Sequence, residues 1–170
     1  MKKAKYIVFL DIDGVFTSFR AQYSSGNPSD MWNYFDPVAI NFMNKIHDKF
    51  DSVYFVLIST WKNGLSTNEP MIEHWIVSAF RNAGFRGEFY SPWKTNPDNF
   101  DKFINRAFEI KDYIENFTPD LIDYIIFDDD DYGFERVLGK KRFIKTSGED
   151  GLLSKHMKNA MSIMGMWKEK

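Results

Sequence analysis

The chain has 170 residues, 44% of them hydrophobic and 27% charged, with a formal net charge of −2. That length carries a real core and fits one domain, and 18% aromatic residues argue against disorder. The near-neutral charge gives no global pull toward nucleic acid or an anionic membrane, and the absence of Cys excludes disulfides, thiolate metal sites and Cys nucleophiles.

The basic start Met1-Lys2-Lys3-Ala4-Lys5 is followed by an apolar run too short for a signal peptide, and no segment reaches the length of a membrane span. A soluble, intracellular (cytoplasmic) protein without membrane contact is therefore expected. Tyr6 to Leu10 is β-branched and aromatic and reads as a buried strand. Asp11 and Asp13 follow it, spaced so that both carboxylates can share a face, and Gly14 permits a sharp turn. Two readings stay open at this point. The pair is either an Asx-type turn or, because adjacent carboxylates repel unless a cation sits between them, oxygen ligands for a hard ion such as Mg2+.

Residues 17–35 are polar and aromatic, with a loop signal at Ser24-Ser25-Gly26-Asn27-Pro28. Asp36-Pro37 is a helix start, and Val38, Phe42, Met43, Ile46 and Phe50 give residues 37–50 an amphipathic helix. A second strand over 53–58 stops at Ser59-Thr60-Trp61, and 62–69 is a loop. A helix is predicted over 70–83, ended by Gly84. A short strand over 88–90 precedes a Pro-containing loop over 91–98. A long helix over 99–117, a strand over 124–127 ending in Asp128 to Asp131, a modest strand over 141–145 and a last helix over 151–166 complete the chain.

Strands alternating with helices predict an α/β fold, a three-layer parallel sheet of Rossmann-like type. Right-handed crossovers place every strand's carboxyl end on one edge, where ligands bind. Asp11 and Asp13, Ser59 and Thr60, and Asp128 to Asp131 all fall on that edge, which is hard to explain as three independent turns.

Together these residues resemble the haloacid dehalogenase (HAD)-like phosphohydrolases: Asp-Ile-Asp-Gly-Val after the first strand, Leu-Ile-Ser-Thr after the second, a basic residue on a later helix, and Phe-Asp-Asp-Asp after a further strand. A finer resemblance is to a small phage and bacterial branch that includes HAD domains of nucleic-acid repair proteins. It is carried by Ile58-Ser59-Thr60-Trp61, Arg106-x-x-Glu109-Ile110, Ile126-Phe127-Asp128-Asp129-Asp130, and Lys145-Thr146 with Gly151-Leu152. The resemblance covers nearly the whole chain and implies one HAD-like domain over 1–170.

It also implies a Mg2+-dependent phosphomonoesterase working through an aspartyl-phosphate. Asp11 is then the nucleophile and Asp13 the general acid and base. Ser59 (or Thr60) is the phosphate-binding hydroxyl. Arg106 is the basic residue, with Lys111, Lys102 and Lys94 as alternatives. The metal set is Asp11, Asp13 through its backbone carbonyl, Asp128 and Asp129, with Asp130 and Asp131 outside it. A catalytically silent HAD-fold binding or regulatory module is the competing function; intact Asp11 and Asp13 weigh against it. A receiver-like domain is disfavoured, because receivers carry the phosphorylated Asp after a middle strand.

His47, His74 and His156 pair with no other ligand at metal spacing and read as surface or packing residues. Trp61 and Trp93 read as packing residues, with Trp61 placed to wall the site. The chain leaves no room for a large cap, so the site is expected to be open to bulky substrates. The insert, with Arg20, Tyr23, Trp32 and Tyr34, is either a flap that stacks nucleobases or a segment that packs on itself. The expected partner is a phosphorylated small molecule, a nucleotide or a nucleic-acid end. Oligomeric state is not legible.

Overall fold

The computed structural model describes residues 6–24, 35–62, 75–95 and 106–170. Five parallel strands, β1 (Tyr6–Leu10), β2 (Val53–Leu57), β3 (Phe89–Lys94), β4 (Asp123–Asp128) and β5 (Phe143–Lys145), form one sheet in the order β3-β2-β1-β4-β5. β1 lies at the centre and pairs in unbroken register with β2 (Leu10 opposite Leu57) and β4 (Leu10 opposite Phe127). The helices are α1 (Phe19–Ser24), α2 (Pro37–Lys49), α3 (Trp75–Asn82), α4 (Arg106–Phe117), α5 (Phe134–Leu138) and α6 (Ser154–Ile163).

Strand periodicity sorts the core into two layers. Tyr6, Val8 and Leu10 of β1, Phe55 and Leu57 of β2 and Ile125 and Phe127 of β4 pack with Ile40, Met43 and Ile46 of α2 and Phe80 of α3. Ile7 and Phe9, Val56 and Ile58, and Tyr124 and Ile126 face the opposite side, against Ala107, Ile110 and Tyr113 of α4. Both faces of β1 are thus covered, which is why its five residues are all apolar and all buried. Asp11 continues the Ile7–Phe9 series and Asp128 the Tyr124–Ile126 series, so the alternation directs both carboxylates to the side occupied by α4.

Most predicted elements stand where the sequence places them. Asp36 caps α2, its Oδ1 accepting from Val38 N at 2.9 Å, with Pro37 in the first turn. The differences are local. β3 runs through Pro92 to Lys94 where a loop is expected. A register shift opposite Phe55 and Leu57 absorbs the extra residues, and an edge strand tolerates the missing proline N–H. α5, five residues between two glycines with positive φ, has too few positions to leave a periodic signal. Within the 17–35 insert, the described residues 19–24 form α1. Phe19 N and Arg20 N donate to Gly148 O and Glu149 O, and Arg20 bonds Asp36 Oδ2 and Asp150 O. Expectations for Trp32, Tyr34, His74, Lys102 and the starts of the helices at 70 and 99 lie outside the described residues.

Candidate active site

Asp11 sits one residue beyond β1, its N–H donating to Phe127 O at 2.9 Å, and is 3% exposed. Asp128 ends β4 and is fully buried. Asp11, Asp128 and Asp129 each offer a carboxylate oxygen, and the three atoms lie within 4.8 Å of one another. Asp11 Oδ1 is buried without a hydrogen-bond partner. The turn at Gly14 makes this cluster possible. Its φ is +67°, and a Cβ there would come 2.4 Å from Asp129 Cβ and 2.7 Å from Asp129 Oδ2. Only glycine leaves space for Asp129 against the Asp11–Gly14 loop.

Arg106, the first residue of α4, sends its guanidinium into this acidic corner. Nη1 lies 2.5 Å from Asp128 Oδ2 and 3.3 Å from Asp11 Oδ2, and Cζ lies 4.7 Å from the Tyr132 ring centroid. Burial pushes the Asp11 carboxyl up, against the pull of Arg106 and of hydrogen bonds from Ile12 N–H and the Ser59 side chain. Asp128 is pushed up by burial first and by the Asp11 charge second, and Arg106 again opposes. Asp129 is also raised, chiefly by burial. One guanidinium among three carboxylates, one of them with an orphaned oxygen, is a donor set that suits a hard cation.

Ser59 is buried at the end of β2 and Thr60 beside it is exposed, so of the two hydroxyls Ser59 is the one that reaches Asp11. Asp13 is exposed and its carboxylate stands apart from the three-oxygen cluster. Oδ1 accepts from Thr17 Oγ1 at 3.1 Å and Oδ2 from the Trp61 indole N–H at 2.8 Å. Trp61 thus walls the site, tilted against Trp75 and Phe35. Trp93 is buried in the core. Asp130 and Asp131 serve the turn: Asp130 N donates to Asp128 Oδ1, Asp131 N to Asp130 Oδ1 and Gly133 N to Asp131 Oδ1.

Two of the alternatives to Arg106 are among the described residues. Lys94 is buried beside the Trp93 ring, and Lys111 lines a groove with Ile114, Leu121 and Lys140. His47 and His156 belong to no cluster with metal-ligand geometry among the described residues.

Lys62, assigned from sequence to a polar loop, is instead buried at 2% exposure in a 3-10 turn, Thr60–Lys62. Its amine donates to Ile58 O at 3.2 Å and Glu109 Oε2 at 3.0 Å, and Thr95 Oγ1 donates to the same Glu109 oxygen at 2.9 Å. Burial holds the Lys62 amine below its usual range, against the attraction of Glu109. The available signal was the Arg106-x-x-Glu109 spacing, which puts both side chains on one helix face. Nothing in the chain's order links Glu109 to Lys62.

An α/β sheet of this order, with an Asp-x-Asp-Gly turn after its central strand and a carboxylate pair after the neighbouring one, defines a HAD-like protein. The family model for the HAD domain in Swiss Army Knife RNA repair proteins matches residues 7–157, and the chain belongs to that family. It is similar in structure to the HAD domain of the effector protein Lem4 from Legionella pneumophila. The TM-score is 0.52 at 16% identity over 95% of this chain and 94% of that one, a likeness of fold. No curated protein matches the chain. No helix among the described residues is long and apolar enough to cross a membrane.

Proposed function

We propose that the chain is a Mg2+-dependent phosphomonoesterase that works through an aspartyl-phosphate. The observation that carries this reading is the buried, unpartnered Asp11 Oδ1 beside Asp128 and Asp129, with Arg106 and Ser59 bonded to the same corner. A divalent cation held by Asp11, Asp128, Asp129 and the Asp13 backbone carbonyl would neutralise the charge that keeps a carboxylate from approaching a phosphate dianion.

Asp11 attacks phosphorus in line, and the ester P–O bond breaks. Ser59 donates to a phosphoryl oxygen, and Arg106 balances the charge spread over those oxygens. Asp13 gives its proton to the leaving oxygen. It then takes a proton from the water that hydrolyses the aspartyl-phosphate. Thr17 and Trp61 hold its carboxylate in one orientation for both tasks.

The substrate is a nucleotide or a nucleic-acid terminal phosphate, RNA in the first instance, which the RNA-repair description of the family favours. The test is a Mg2+-dependent phosphatase screen over nucleotides, sugar phosphates and 3′- and 5′-phosphorylated oligonucleotides, followed by acid-quench trapping. Turnover on terminal phosphates, lost in Asp11→Asn, with phosphate trapped on Asp11, is the expected result. No release from any of these substrates favours a silent HAD-fold binding module; label on Asp13 would exchange the two roles.

A further inference from the structure

Three pieces of chain stand together at the carboxyl edge of the sheet: the Ser59 turn after β2, Thr95 directly after β3, and the first turns of α4. One ion pair, its lysine buried and its glutamate part-buried, joins them. Lys62 donates to Ile58 O and Glu109 Oε2, and Thr95 Oγ1 to the same carboxylate oxygen. Lys62 N also donates to Ser59 O at 3.2 Å, closing the turn that presents Ser59. Glu109 stands one helical turn after Arg106, so both project from one face of α4. We propose that the Lys62–Glu109 pair sets where Ser59 and Arg106 stand around Asp11, which makes Lys62 a positioning residue.

The physical case is the burial. A lysine amine at 2% exposure gives up its hydration, and a methionine of similar length would fill the same space without that cost. An amine contributes what an apolar side chain cannot: directed bonds that tie Ile58 to Glu109. These fix the end of β2 against the start of α4. Charge from Asp11 favours the Lys62 cation and charge from Arg106 opposes it, so the amine lies within the field of the site without bonding Asp11. Displacement of a catalytic group by about 1 Å costs on the order of 100-fold in rate, and the pair holds two such groups.

The consequence for rate rests on the phosphatase reading; the consequence for geometry does not. The test therefore has two arms on Lys62→Met. The first needs no turnover: the 15N NMR resonances of the Arg106 Nε–H and the Ser59 amide in the full chain. Both are expected to move in Lys62→Met and to return toward parental positions in Lys62→Arg. The second is nitrophenyl phosphate hydrolysis with Mg2+. There kcat is expected to fall about 100-fold with little change in KM, and the loss should shrink in a Ser59→Ala background. If Lys62→Met does not fold, the neutral pair Lys62→Met/Glu109→Gln, which leaves no buried charge unpaired, takes both arms. Parental resonances in a folded variant, or the same loss of kcat with and without Ser59, would overturn the proposal. If the parent hydrolyses no phosphate ester, the phosphatase reading fails and the resonance arm alone decides the positioning role.

Discussion

Replacing Gly14 by Ala isolates the role of the turn in building the carboxylate cluster. The added Cβ would lie 2.4 Å from Asp129 Cβ, 2.6 Å from its Cγ and 2.7 Å from its Oδ2. Carbon atoms rest at about 3.5–4.0 Å, so Asp129 must retreat by roughly 1 Å or the loop must open. Either movement shifts the Asp129 carboxylate relative to the Asp11 and Asp128 oxygens that it stands beside. A left-handed φ adds about 1–2 kcal/mol of backbone cost for any L side chain. Gly139 provides the control. Its φ is +69° against +67° at Gly14, and a Cβ there meets nothing within 4 Å. Gly139→Ala thus carries the backbone cost alone. Gly139→Ala should lose on the order of 2–8 °C in Tm without metal, and Gly14→Ala at least as much. Only Gly14→Ala should also lose ion affinity, by about 10- to 100-fold, as when the support of a metal ligand is removed. The assay is thermal unfolding at increasing Mg2+ or Mn2+ with calorimetric titration of the same samples. A Gly14→Ala variant with the parental Mg2+ response would refute the assignment of Asp129 to the ion site.

Three further outcomes are expected. Arg106→Met leaves the Asp11 and Asp128 carboxylates without their buried partner and should cost about 3 kcal/mol in urea unfolding without metal; an unchanged midpoint would mean that the guanidinium does not compensate them. Asp128, pushed up to about 7 from 3.8, binds a proton in the folded state that the unfolded chain has already lost. Its stabilisation is present below the unfolded value and disappears as pH rises through the folded one. The metal-free chain should therefore lose stability from pH 5 to 8, at about 1.4 kcal/mol per unit at most for one such group, with Asp128→Asn or saturating Mg2+ flattening the slope; equal slopes in parent and variant would contradict this. Trp61→Phe keeps a ring beside Phe35 and Trp75 and removes the N–H that holds Asp13. It should slow an alkyl phosphate about tenfold more than a nitrophenyl phosphate, whose leaving group needs no proton; an equal effect on both would show that Trp61 only packs.

The sequence by itself determined the strands, their parallel arrangement and the edge on which Asp11, Ser59 and Asp128 gather. Those features follow from short-range periodicity and one topological rule, both written in consecutive residues. Asp36-Pro37 and Gly14 were legible for the same reason, since a cap and a turn are settled within a few residues. What sits around Asp11 was decided only by tertiary structure. Arg106, Lys111, Lys102 and Lys94 are equivalent as basic residues in a string of letters; the alternation that turns Asp11 and Asp128 toward α4, and the burial there, brings Arg106 between them. Asp13, spaced to share a face with Asp11, turns instead to Trp61 and Thr17, because the chain leaves the strand after Leu10 and strand periodicity ends with it. Lys62 reads as solvated loop because its partner Glu109 lies far along the chain, and a buried charge is paid for only by a contact that folding creates.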